Sequence, residues 1–121
     1  MKRSRQDAER HGHRAETIAL WYLRLKGYRL LARRFKTPAG EVDLIMRKGQ
    51  TTAFIEVKAR ATVDDGVMAV TQYQSRRISS GAAFYTSRDD KAAKGFQRFD
   101  IIVVPSYLWP THIKNAFDGN H

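Results

Sequence analysis

Two short segments concentrate the reactive chemistry of this 121-residue chain, Gly40-Glu41-Val42-Asp43-Leu44-Ile45 and Phe54-Ile55-Glu56-Val57-Lys58. Both read as β-strands that carry acids among apolar residues. Side chains alternate faces along a strand, so Glu56 and Lys58 point one way while Val57 points back into the protein. Opposite charges on an otherwise apolar strand are costly unless that face lines a polar cleft. A carboxylate pair with a neighbouring ammonium suits phosphodiester hydrolysis, which needs an activated water and neutralisation of phosphate charge. A divalent cation supplies both, and a hard ion such as Mg²⁺ takes oxygen ligands. Asp43 and Glu56 are the natural ligand pair, the Val57 carbonyl offers a third oxygen, and Lys58 can hold water and stabilise developing charge. The competing reading is an exposed Glu56–Lys58 ion pair, which contributes little. Phe54 on the Glu56 face and Ile45 on the Asp43 face argue for a surface that is not plainly solvated.

The pairing of these strands decides whether the carboxylates meet. Lys48-Gly49-Gln50 suits a two-residue hairpin of type II′, with glycine at the first central position. Lys48 then faces Thr51, and counting back sets Asp43 opposite Glu56, with Cβ atoms ~4.5–5.5 Å apart. A three-residue loop would turn Asp43 to the other face. Opposed carboxylates repel unless a proton or cation lies between them.

Ala15, Ile18, Ala19, Tyr22 and Leu23 follow helical spacing, so a helix is expected from about Arg14 to Lys26, closed by Gly27. Residues 1–13 are expected to form a basic flexible arm and 14–121 a single domain. Glu16 sits one turn into that helix, able to complete the shell if the helix crosses the sheet. Tyr28–Phe35, Val42–Arg47, Thr52–Lys58 and Phe99–Val104 read as strands, the last buried on both faces by its Ile-Ile-Val-Val run. Arg60–Gly66 reads as a loop whose Asp64 and Asp65 cap a helix over Val67–Thr86, with Val67, Val70, Ile78, Ala82 and Tyr85 inward. Ser87–Gly95 reads as a basic loop, and the tail as a loop or short edge strand. The order is α-β-β-β-α-β, a mixed sheet flanked by helices.

Lysine and arginine number 22 against 12 acids, a net charge of +10, which favours polyanions and nucleic acid first. Arg76, Arg77, Arg88, Lys91 and Lys94 are candidate phosphate contacts. The chain has no cysteine, which fits a reducing, cytoplasmic setting, and no apolar run long enough to span a bilayer. Its first residues lack the apolar core of a signal peptide. His11 and His13 have no partner at metal-ligand spacing. Tyr107 and Trp109 could stack on bases, and Asp100 could orient Arg98.

Glu16, Gly40-Glu41-x-Asp43 and Glu56-x-Lys58, in this order and spacing, resemble the PD-(D/E)xK nuclease superfamily. Ala19-x-x-Tyr22-Leu23, Gly27-Tyr28, Phe54-Ile55-Glu56-Val57-Lys58-x-Arg60 and Arg98-Phe99-Asp100 extend the resemblance, over nearly the whole chain, to the small bacterial YraN family, allied by sequence with archaeal Holliday-junction resolvases. The resemblance implies a restriction-endonuclease-like αβββαβ core and a Mg²⁺- or Mn²⁺-dependent endonuclease acting on DNA. Asp43, Glu56 and Lys58 would be its catalytic triplet and Glu16 an accessory acid. Val42 stands where the superfamily motif has its proline. Arg34 stands where many relatives carry asparagine, and Gln72 or Gln74 where related proteins turn a lysine or glutamine toward the site. Arg34, Arg60 and Gln74 join the candidate nucleic-acid contacts. Two other expectations stay open: a nucleic-acid-binding module with the same fold but little or no cleavage, and a protein-interaction component of a larger complex. Two protomers pairing through the tail and last strand is a further expectation.

Overall fold

The computed structural model describes residues 5–106 and 109–118, with side chains from Gly12 onward. Five strands form one sheet in the order β1-β2-β3-β4-β5: β1 (Arg29–Lys36), β2 (Glu41–Lys48), β3 (Thr51–Ala59), β4 (Phe96–Val104) and β5 (Thr111–Ile113). All neighbours pair antiparallel except β3 and β4, which run parallel. A parallel pair needs a crossover, supplied by α2 (Val63–Met68), α3 (Gln72–Thr86) and α4 (Asp90–Lys94). α1 (Arg5–Leu25) covers one face and α3 the other, giving the mixed, helix-flanked αβββαβ sheet that the sequence suggests.

Each face has its own core. Ala15, Ala19, Leu20 and Leu23 of α1 pack on Leu44, Met46, Ile55, Val57 and Ile102. Ile78 and Ala82 of α3 pack with Val42, Ile45 and Phe54. The ends of α1 differ from the expected ones. The helix begins at Arg5, well before the expected Arg14. It closes as expected at Gly27, whose φ is +94°. Gly27 N–H donates to the Arg24 carbonyl and Tyr28 N–H to that of Leu23, the paired bonds of a Schellman motif. Ile18 and Tyr22 lie outside the inner stripe, where Leu20 takes their place; Ile18 is exposed.

The segment after β3 departs further from expectation. Thr62, not Asp64 or Asp65, caps α2 by accepting from Asp65 N–H; the two aspartates fill its first turn. The expected long helix over Val67–Thr86 is broken between Met68 and Gln72, because Thr71 and Gln74 form a capping box that starts α3 afresh. Val67 is consequently exposed. α4, capped by Asp89, interrupts the expected basic loop.

Glycine positions α3 against the sheet. A Cβ on Gly40 would fall 1.8 Å from the Arg77 carbonyl oxygen, so only a bare Cα lets the start of β2 meet the helix.

Candidate active site

The hairpin between β2 and β3 has the two-residue loop Gly49-Gln50, with φ of +60° at Gly49 as a II′ turn requires. Lys48 pairs with Thr51 and the register runs unbroken to Leu44 opposite Ile55. One step further along the same register, Asp43 and Glu56 come together. Their carboxyls share a hydrogen bond, and Asp43 Oδ2 also accepts from Val57 N–H at 2.8 Å. The Asp43 side chain thus takes the place of a strand partner where the backbone ladder opens. Phe54 and Ile45, next along this face, sit in the α3 core.

A cavity of about 810 Å³ opens over this pair. Glu16 from α1, Glu41 and Asp43 from β2, and Glu56, Val57 and Lys58 from β3 form its floor; Thr71, Tyr73, Gln74 and Arg77 form its wall. Burial, then the hydrogen bond to Asp43 and its charge, push the Glu56 carboxyl up from 4.5 to about 9, against the lowering effect of Lys58. Glu16 is 9% exposed. Burial and the Asp43 charge raise its carboxyl, while the guanidinium of Arg34, whose Nε donates to Oε1 at 2.9 Å, opposes them. Arg34 adopts φ of +50°, in the left-handed region that asparagine tolerates better than arginine. Arg33 lies 3.6 Å from the same Glu16 oxygen.

Asp43, Glu56, Lys58 and Glu16 therefore line one hollow, as their spacing suggests. Among the described residues no three histidine or acidic side chains stand together at metal-holding distance. The oxygen donors on offer to a cation are the Asp43–Glu56 pair and the Val57 backbone. A half-buried carboxyl pair in which Glu56 holds its proton suits exchange of that proton for a hard cation.

The candidate phosphate contacts divide. Gln74 and Arg77 line the hollow, although Gln74 Oε1 also accepts from Thr71 N–H and Arg77 lies 3.9 Å from Glu41. Arg34 is engaged with Glu16. Arg60 and Arg76 are exposed outside the lining, as is Gln72. Arg88 stacks on Phe84 at the far end of α3. Lys91 and Lys94 flank the Gly49-Gln50 turn, at the opposite end of β3 from the acids. Asp100 belongs to the α1 side: it pairs with Ile55 and is fully buried. It accepts from Arg98 at 2.8 Å, bonds His112 Nε2 at 2.7 Å and accepts from Asn115 N–H at 3.0 Å. Burial opposes ionisation there, yet these bonds hold its carboxyl below 3.8. Its orienting of Arg98 is as expected. His13 is exposed, and Tyr107 and the His11 side chain lie outside the described residues.

Glu41, Thr71 and Tyr73 were not expected in the hollow. Thr71-x-x-Gln74 carries its own signal, a capping-box pattern that marks a helix start facing the strands.

The model of "Uncharacterised protein family UPF0102" matches residues 15–104, which include every acid of the hollow and Lys58. A UPF0102 protein of Chelativorans sp. is 47% identical over 94% of this chain and 92% of its own. UPF0102 protein mlr4633 of Mesorhizobium japonicum is 44% identical over 98% and 94%, and one from Parvibaculum lavamentivorans is 46% identical over 91% and 83%. The chain belongs to the UPF0102 family.

Proposed function

We propose that the chain is a member of the PD-(D/E)xK nuclease superfamily and cleaves DNA as a divalent-cation-dependent endonuclease, with a preference for branched substrates. The observation that supports this most is the meeting of Asp43, Glu56 and Lys58 on one face of the β2–β3 hairpin, under a cavity about 810 Å³ in volume. Mg²⁺ or Mn²⁺ held by Asp43, Glu56 and the Val57 carbonyl would supply Lewis-acid neutralisation of the phosphate and an acidified water. Lys58 orients the attacking water and stabilises charge developing on the phosphate oxygens. Arg77 and Gln74 bind flanking backbone phosphates, and the net charge of +10 draws the polyanion in. Arg34 pins Glu16, the accessory acid from α1, at the edge of the carboxyl pair. One domain offers one such hollow, so cutting both strands takes two visits or two protomers.

The test is cleavage of linear and four-way-junction DNA by purified protein with Mn²⁺. Asp43→Asn, Glu56→Gln and Lys58→Met are each expected to lower the rate by about a hundredfold or more. Cleavage that survives all three substitutions belongs to another site. DNA binding with no cation-dependent cleavage assigns the chain to the binding-module reading.

A further inference from the structure

α1 is apolar on two sides. Its inner stripe is consumed by the sheet, but Ile18, Trp21, Tyr22 and Leu25 repeat at helical spacing on the outside. With Trp109 and Pro110 from the tail they line a groove of about 530 Å³. Trp21 is 58%, Leu25 78% and Trp109 74% exposed. A helix with apolar residues on both sides is expected to be covered on both. Contiguous exposed apolar surface of this kind marks an interaction site.

The charge at the groove's edge says what covers it. Arg24 lies over the Trp21 ring at 4.9 Å and Lys26 over Tyr22 at 5.1 Å. Among the described residues no acidic side chain lines the groove, and the one carboxylate between Gly12 and Lys26, Glu16, turns into the other hollow. A second copy of the chain would bring like cations together. Single-stranded nucleic acid needs open ring faces to stack on, whereas cations lie over the Trp21 and Tyr22 rings, Trp109 is tilted against Tyr22 with centroids 6.2 Å apart, and the rest of the lining is Thr17, Ile18, Leu25 and Pro110. We propose that this groove docks an acidic amphipathic segment of a partner protein. Its apolar side chains enter between α1 and Pro110, and its carboxylates meet Arg24 and Lys26. This is the helix-in-groove manner of recognition, with anchors spaced along two turns.

Selection of a random-peptide display library against the full-length protein tests this, with wild type and the exposed-site variants Leu25→Glu and Arg24→Glu compared by fluorescence anisotropy. Enriched peptides should carry net negative charge and at least two large apolar residues. Each variant should weaken their binding by about tenfold or more. A twenty-nucleotide oligo-dT should not displace them. Absence of enrichment, enrichment of neutral or basic peptides, or affinity unchanged in both variants overturns the proposal. Displacement by oligo-dT reassigns the face to nucleic acid. A wild-type dimer in sedimentation that Leu25→Glu dissolves reassigns it to self-association.

Discussion

Replacing Glu56 by glutamine should make the cation-free protein more stable, by an amount that grows with pH. An unfolded glutamate titrates near 4.5, whereas the folded one keeps its proton to about 9. Because the folded value is raised, the native state is unpenalised below 4.5 and loses stability steadily as pH climbs toward 9. At pH 7, folding must take up a proton that the unfolded chain has released. At about 1.4 kcal/mol for each pH unit above 4.5, this costs about 3 kcal/mol. Glutamine keeps the shape and can still donate to Asp43, but it has no proton to bind. A gain of about 3 kcal/mol corresponds to about 10 °C in melting temperature for a domain of this size. The assay is thermal unfolding followed by circular dichroism at pH 5 and pH 7, with and without Mn²⁺. The gap between variant and wild type should shrink to under about 1 kcal/mol at pH 5. Mn²⁺ should raise the wild-type transition and leave the variant's nearly unmoved. A variant no more stable than wild type at pH 7, or a gap independent of pH, would refute the carboxyl pairing on which the hydrolytic reading rests.

Other substitutions probe the frame around the hollow. Gly40→Ala drives a methyl into the Arg77 carbonyl and should push α3 off β2. It is expected to lower stability by about 1–3 kcal/mol in urea titrations and to weaken DNA binding with it. Asp100→Asn leaves Arg98 and His112 without their shared anion, at an expected loss of about 3–5 kcal/mol. Since the folded Asp100 carboxyl is held below 3.8, its stabilisation is present above that pH and fades as pH falls, so the variant and wild type should converge in acid unfolding. Thr71→Ala removes one half of the capping box and should loosen the start of α3 by about 1 kcal/mol, read as faster amide exchange in its first turn.

What the chain discloses in advance is whatever depends on local chemistry. Lys48-Gly49-Gln50 sets the hairpin's loop length, and loop length sets register, so the meeting of Asp43 and Glu56 follows by counting. Gly27 closes α1 because only a residue at ease with positive φ completes that bond pair. Ile101–Val104 is buried as its composition implies. The readings that went astray depended on what packs against what. Helical spacing cannot separate Ile18, on the bare side of α1, from Leu20, under the sheet. The Val67–Thr86 segment reads as one helix until the Thr71 cap is weighed against its apolar spacing. Asp100 reads as a partner of Arg98 alone until the fold brings His112 against it and Tyr28 against Arg98. Arg88, Lys91 and Lys94 share their charge with Arg77 but lie beyond the reach of the acids, a separation that composition does not encode.

Asp43 occupies a double position, since one of its oxygens serves as a rung between two strands while its carboxyl also meets Glu56. Local strand spacing and local charge are consequently a single variable. Whatever alters the carboxylate's electron density, be it a proton, an ion or an amide, also alters its grip on Val57 N–H and thereby the splay of the hairpin's mouth. Asp43 therefore ties the charge of the hollow to the hold between β2 and β3.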